Sequence, residues 1–156
     1  MSDKNVEFDI YWDQLNDWVD DMSDGKFLPQ FVTFAKEFGY EIRERLRKHI
    51  LAQDIPWAPL AARTRRRKGH FYKYIETGFY LKHIAVDVET GPNYEVFLSV
   101  HPYGRHPTNK KMLQDVAEIL ETGAPKIPAR PIWRPVKNEM WNYAAFRNFS
   151  LAGALQ

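Results

Sequence analysis

The segment Glu121-Thr122-Gly123-Ala124-Pro125-Lys126-Ile127-Pro128-Ala129-Arg130-Pro131-Ile132-Trp133-Arg134-Pro135 decides how the C-terminal part of this chain folds. Gly123 follows apolar residues at helical spacing, and helices commonly end at a glycine because glycine tolerates positive φ. The prolines beyond it fix φ and remove backbone donors. We therefore expect a helix that stops at Gly123, a stiff extended segment, and Pro131 in the first turn of a last helix.

Apolar periodicity predicts the elements on the N-terminal side of this segment. Alternation at 6–10 predicts a first strand, and apolar residues at helical spacing within 15–22 predict an amphipathic helix. A long helix is expected at 29–53, a hairpin of strands 81–89 and 94–101 with its turn at 90–93, and helices at 109–120 and 136–149. Gly39 lies inside the long helix, where it costs about 1 kcal/mol relative to alanine, so it marks a close approach of another backbone.

These elements predict one α+β domain spanning residues 1–156. Its small, mainly antiparallel sheet consists of the first strand and the central hairpin. The long helix and the helix before Gly123 pack on that sheet. Residues 55–78 form a long loop, and loops of that length in compact domains are usually functional.

Composition limits the class of protein. The 156 residues are 44% hydrophobic and 27% charged, as in ordinary globular domains. The chain has no cysteine, which excludes disulfides and thiolate metal sites. No apolar run is long enough to span a bilayer, and residues 1–24 are acidic where a signal peptide would be basic and then apolar. We expect neither secretion by that route nor a membrane-embedded protein.

The net charge of +2 conceals an asymmetry along the chain. The first 24 residues are acidic, and the candidate acidic interface consists of Asp13, Asp17, Asp20 and Asp21. A basic run follows at Arg63, Arg65, Arg66, Arg67 and Lys68. Opposite charges on two faces suit a head-to-tail ring of subunits. The alternative is a solvated surface that only keeps the protein in solution.

The candidates for catalysis are few. His101 and His106 lie five residues apart in a predicted loop without a carboxylate at metal-ligand spacing. No nucleophile elbow and no glycine-rich phosphate loop occurs. The aspartates near the N-terminus are more typical of a solvated helix face than of an acid–base pair. The sequence therefore predicts no enzyme, no metal and no cofactor.

The basic run has a second interpretation. It is followed by His70, Phe71, Tyr72, Lys73 and Tyr74, so cations alternate with aromatic rings as they do in proteins that bind single-stranded nucleic acid. A DNA-binding accessory protein is therefore the alternative function. The same run is also suited to pairing with an acidic neighbour, or to facing DNA that passes through a ring without reading its bases.

Three motifs together resemble a known family. They are Ile55-Pro56-Trp57-Ala58-Pro59-Leu60, the pair Thr77-Gly78, and the acidic-x-Gly pattern at Glu121 and Gly123 that leads into Ile127-Pro128-Ala129-Arg130-Pro131. In order and spacing they resemble the minor virion-morphogenesis proteins of tailed bacteriophages, the neck and tail-completion family. The resemblance covers nearly the whole chain.

The resemblance implies a structural virion protein rather than an enzyme. It would form a homo-oligomeric ring in the neck or at the head-proximal end of the tail, assembled in the host cytoplasm, with a channel for DNA. Its partners would be head-completion, tail-terminator or tail-tube proteins. The candidate assembly interface comprises Trp57, Thr77, Gly78, Glu121, Gly123, Arg130, Trp133 and Arg134.

Overall fold

The structure is a computed structural model that describes residues 28–70, 74, 78–92, 95–107 and 110–142. Its helices are α1 (Leu28–Ala52), α2 (Ala62–Lys68), α3 (Phe79–Lys82), α4 (Leu113–Thr122) and α5 (Trp133–Asn142), and its strands are β1 (Ile84–Thr90) and β2 (Val96–Pro102). The predicted strand at 6–10, the helix within 15–22 and the end of the last helix lie outside the described residues. So do the four candidate aspartates and Thr77.

The predicted α+β class and the antiparallel hairpin are confirmed. Strands β1 and β2 pair in antiparallel register from Ile84 opposite Pro102 to Thr90 opposite Val96. Alternate residues of β2 are buried against the helices, while Phe97 points outward. Helix α1 packs against both strands and α5, and α4 packs against β2. One apolar core results, centred on Ile42, Leu46, Leu98, Trp133 and Val136.

Gly39 marks the close approach between α1 and the sheet. A Cβ atom at this position would lie 2.5 Å from Val86 Cγ1 and 2.7 Å from Leu98 Cδ1. The expected close approach is present, although the neighbouring atoms belong to side chains rather than to another backbone. Glycine therefore lets the helix lie directly on the strands.

The two connecting segments and the start of the first hairpin strand differ from their predictions, since residues 81 and 82 lie in α3. The connection at 55–78 is not a continuous loop, because it contains α2 and is followed at once by α3. The proline-rich segment is not extended throughout. Ala124 and Ile127 exchange two backbone hydrogen bonds of 2.8 Å, which folds Pro125 and Lys126 into a tight turn.

The last helix begins at Trp133, so the proline in its first turn is Pro135 rather than Pro131. This is three residues before the predicted start of that helix. Gly123 ends α4 at a φ of 85°, as predicted. A Cβ at Gly123 would also lie 3.0 Å from the backbone nitrogen of Ala129, so the returning chain leaves no space for a side chain.

Candidate functional site

Two of the three sequence motifs meet in space. The segment at 55–60 lies against the segment at 130–133, and the contact is made by hydrogen bonds to backbone carbonyls. Trp57 Nε1 donates to the Pro131 carbonyl at 2.6 Å. Six residues form this junction, and we call them the central cluster: Trp57, Tyr74, Tyr80, Glu121, Arg130 and Trp133.

Glu121 caps the N-terminus of α5 from the last turn of α4. Its Oε2 accepts hydrogen bonds from the backbone nitrogens of Ile132 at 2.8 Å and Trp133 at 3.1 Å. Its Oε1 accepts one from the nitrogen of Arg134 at 2.8 Å. The first N–H groups of a helix have no partner within the helix, and they carry the positive end of its dipole. A buried carboxylate therefore satisfies three donors and couples α4 to the next helix, α5.

Arg130 joins the same segment to the chain before α2. Its Nε donates to the carbonyl of Ala58 at 3.0 Å and its Nη2 to that of Pro59 at 3.1 Å. Only 6% of the side chain is exposed. Desolvation lowers the pKa of Arg130, an effect that the nearby Tyr74 opposes. The planar guanidinium matches two successive carbonyls, which a lysine ammonium does not.

Aromatic rings fill the space between these polar contacts. The Tyr74 ring centroid lies 5.2 Å from that of Trp57 and 5.3 Å from that of Tyr80. Trp133 Nε1 donates to the Tyr80 hydroxyl at 3.0 Å, and the Tyr74 hydroxyl donates to the Arg130 carbonyl. Burial raises the pKa of both phenols, so both remain protonated and able to donate.

The central cluster changes the interpretation of the predicted assembly interface. The side chains of Trp57, Glu121, Arg130 and Trp133 are buried, and their polar atoms bond within the subunit. These four hold the subunit together and do not present side chains to a neighbour. Of the other predicted interface residues that are described, Arg134 is exposed, and Gly78 and Gly123 are half-buried.

The basic run forms α2, and the helix divides it between two sides. Arg67 and Lys68 lie with Thr64 on the side that faces α4, at the spacing that brings side chains together on a helix. Arg65 and Arg66 line a shallow surface on the other side with His70. No residue of α2 is buried, and Gly69 ends the helix at a φ of 74°. The run is therefore two surfaces rather than one.

A cleft of about 420 Å³ lies between α2, α4 and the turn at 124–127. Apolar side chains of α4 and the turn contribute Val116, Leu120 and Ile127 to its walls. Its cationic side chains are Arg67, Lys68, Lys126 and the buried Arg130, and Tyr74, Tyr80 and His106 also line it. None of the described residues that line the cleft is acidic. Its described walls therefore combine apolar side chains with cations.

The other basic region, on α1, is paired with carboxylates of the same helix. Arg43 and Arg47 both contact Glu44, at 3.3 Å and 2.7 Å, and Arg47 also donates to the Leu81 carbonyl at 2.9 Å. Arg45 contacts Glu41 at 2.8 Å. The surface of α1 therefore has mixed charge and is not a continuous basic patch.

A charged network that sequence reasoning missed joins α1 to α5. His49 contacts Asp54 at 2.7 Å and Glu139 at 2.8 Å, and Glu139 also pairs with Arg45. Desolvation lowers the pKa of His49, but the two carboxylates outweigh it and leave that pKa above its ordinary 6.5. The hydrogen bond from His49, together with Arg45, holds the pKa of Glu139 below 4.5. A separation of 90 residues hides this pairing from sequence patterns.

The sequence pattern does not indicate the role of Tyr80, and Tyr74 has a role other than the predicted one. Tyr74 was grouped with aromatic residues suited to stacking on bases, whereas its ring packs inside the central cluster. Tyr80 follows Gly78 by two residues, and a short helix directs it into the core. A tyrosine close to a turn glycine is a common pattern, so it does not by itself predict that Tyr80 is buried.

Both histidines have partners within the fold, and His101 lies in β2 rather than in the predicted loop. His101 Nε2 lies 2.8 Å from Asp87 across the hairpin, and His106 is buried beside the Phe79 ring. In the part of the chain that the structure describes, no group of three or more His, Cys, Asp or Glu residues could hold a metal ion. Within that same part, none of the helices has the length and apolar character needed to cross a membrane.

Comparison with known protein families, curated proteins and solved structures finds no match to this chain.

Proposed function

We propose that this protein is a structural component of a tailed-phage virion that forms a ring in the neck or at the head-proximal end of the tail. The observation that carries the proposal is the junction between the 55–60 and 121–135 motifs. Arg130 and Trp57 join the two segments by hydrogen bonds, and Glu121 caps the first turn of α5. Motifs that resemble one family along the sequence thus form one physical unit.

The properties of the subunit suit a ring. A ring requires a rigid subunit with two unlike faces. The central cluster makes the C-terminal half rigid through buried hydrogen bonds, and α2 supplies a basic surface. The acidic residues needed for the unlike face are in the N-terminal sequence. Large apolar side chains at the surface, among them Tyr40, Leu51 and Phe97, offer additional area for contacts between subunits.

The test is the mass and shape of the full-length protein. We expect closed rings by native mass spectrometry and electron microscopy, either alone or on mixing with tail-tube and head-completion proteins. Replacing Arg65, Arg66 and Arg67 by glutamine should impair ring formation while the subunit stays folded, as judged by circular dichroism. A protein that stays monomeric under all these conditions contradicts the proposal.

The alternative function is DNA binding through α2. It is favoured by the exposure of Arg63, Arg65, Arg66 and Arg67 on one short helix. Phosphate contacts make binding strongly dependent on salt, since each neutralised phosphate releases counterions. Tight, salt-dependent binding of the free monomer to DNA would therefore favour this alternative over the ring.

A further inference from the structure

The cleft beside α2 is an incomplete packing arrangement. Helix α2 buries none of its residues, although Thr64, Arg67 and Lys68 face apolar side chains of α4 across the cleft. The segment that leads into α2 is held to the body by the bonds of Arg130 to Ala58 and Pro59. The helix is therefore anchored at its start and separated from α4 by a space of about 420 Å³, a volume typical of binding sites.

The chemistry of the cleft selects its occupant. Its apolar walls favour an apolar side chain, because burial removes that side chain from water. The cations Arg67, Lys68 and Lys126 at its edges favour carboxylates on either side of that group. Arg130 already donates to two carbonyls, so it contributes positive charge more than hydrogen bonds.

We propose that the cleft receives the acidic segment 13–22 of a second copy of this chain. The segment has apolar residues at helical spacing, Leu15, Trp18, Val19 and Met22, interleaved with Asp13, Asp17, Asp20 and Asp21. This is the combination of apolar and acidic groups that the cleft and its basic edge complement. The inference rests on the proposed ring, and it names the contact that joins one subunit to the next.

Two observations favour this site over the other basic surfaces. The arginines of α1 lie beside Glu41 and Glu44, so that surface has mixed charge, whereas none of the described residues that line the cleft is acidic. The side of α2 that carries Arg65 and Arg66 is shallow, and among the described residues that line it Ala62 is the one with an apolar side chain. That surface suits phosphates, whereas the described walls of the cleft combine positive charge with apolar side chains.

The absence of cysteine from the chain makes the contact directly testable. The full-length Thr64→Cys variant is mixed with the full-length Trp18→Cys variant and treated with a short bismaleimide. We expect covalent dimers of the two variants on denaturing gels. Arg66→Cys replaces Thr64→Cys in the matched control, because it lies on the other side of the same helix. Met22→Cys serves as a second donor position.

Charge variants then test the basic edge of the cleft. Arg67→Gln with Lys68→Gln should lower the yield of the 18–64 cross-link by about three- to tenfold, since two exposed ion pairs are each worth about 0 to 1 kcal/mol. Arg65→Gln with Arg66→Gln removes the same charge from the other side and should change it less than twofold. Ile127→Trp in the Thr64→Cys background narrows the cleft from its other wall and keeps every charge, so it should lower the 18–64 cross-link even if the first pair of substitutions unfolds the protein.

Each outcome of the cross-linking experiments supports or overturns the contact between the acidic segment and the cleft. Equal cross-linking at Thr64 and Arg66, no cross-linking at either, or a link confined to one chain in the Trp18→Cys, Thr64→Cys double variant overturns the inference. Rings that form without the 18–64 link would leave the proposed function standing and remove this contact. The link without rings would support the contact and contradict the ring.

Discussion

The central cluster and helix α2 are both rich in polar residues, yet the fold uses them in opposite ways. In the cluster, Glu121 and Arg130 are buried and each makes two or more hydrogen bonds with backbone groups. Helix α2 carries five cations among seven residues and buries none of them. Buried polar groups cost free energy unless they are paired, whereas exposed charges are solvated. The comparison separates polar residues that are buried and hold the subunit together from charged residues that lie at its surface.

The largest effect is expected at Glu121. Glu121→Ala should lower the free energy of unfolding by about 3 kcal/mol, because three N–H groups at the start of α5 lose their acceptor. Denaturant unfolding followed by circular dichroism measures the change. Glu118→Ala on the same helix is the control and should cost less than about 0.5 kcal/mol. A loss below about 1 kcal/mol at Glu121 would show that the cap is dispensable.

Arg130 should come next. Arg130→Ala should cost about 2 to 3 kcal/mol, since the carbonyls of Ala58 and Pro59 lose a charged donor in a buried place. Arg130→Lys should restore less than half of that loss, because one ammonium does not reproduce the planar fork. The exposed Arg134→Lys is the control. Full rescue by lysine would mean that charge alone, without geometry, holds the two segments together.

Gly39→Ala should destabilise the protein by about 1 to 2 kcal/mol. Alanine gains about 1 kcal/mol in helix propensity, but its Cβ collides with Val86 and Leu98 and the overpacking costs more. Thermal unfolding compares this variant with Lys36→Ala, an exposed position on the same helix. A stabilised Gly39→Ala protein would indicate that α1 moves away from the sheet without cost.

The network between α1 and α5 should have a smaller, pH-dependent effect. The raised pKa of His49 means that its contribution is present below pH 6.5 and disappears as the pH rises through the folded-state pKa. The lowered pKa of Glu139 gives a contribution present above pH 4.5 that disappears on acidification. The difference in unfolding free energy between wild type and His49→Gln should therefore peak between these values, at under about 1 kcal/mol. A difference that does not vary with pH would assign His49 a packing role only.

The smallest effect is expected on α2. Arg63→Gln combined with Arg66→Gln should change the free energy of unfolding by less than about 0.5 kcal/mol, because both side chains are exposed. Chemical denaturation measures it under the conditions used for Glu121→Ala. A loss as large as that of the central cluster would mean that α2 is part of the folding unit, and the separation between the two regions would no longer hold.

The elements that sequence predicted best are those with long periodic patterns. Helix α1 is one residue from each predicted end, and the hairpin strands have the predicted pairing direction. The connection at 55–78 was predicted poorly because α2 has no apolar stripe and is only seven residues long. Charged residues occur both in exposed helices and in loops. Hydrophobic periodicity therefore does not distinguish a helix from a loop at residues 62–68.

The candidate site shows a second limit of sequence patterns, which do not reveal whether a polar residue is buried. The sequence predicts Trp57, Glu121 and Arg130 at an interface between subunits, whereas the structure buries their side chains within one subunit. A buried carboxylate and a buried guanidinium look the same in sequence as exposed ones. Only the return of the chain past Gly123 shows that their partners are backbone groups of the same subunit.

The amino-acid sequence by itself determined the class of fold, the end of α4 at a glycine and the unequal distribution of charge, since each depends on local φ preference, periodicity or composition. The tertiary structure decided which polar residues are buried, how α2 divides its cations between two sides, and that His49 meets Glu139. Those properties depend on contacts between residues far apart in the chain, and a local pattern contains no information about which distant group will satisfy a given donor or acceptor.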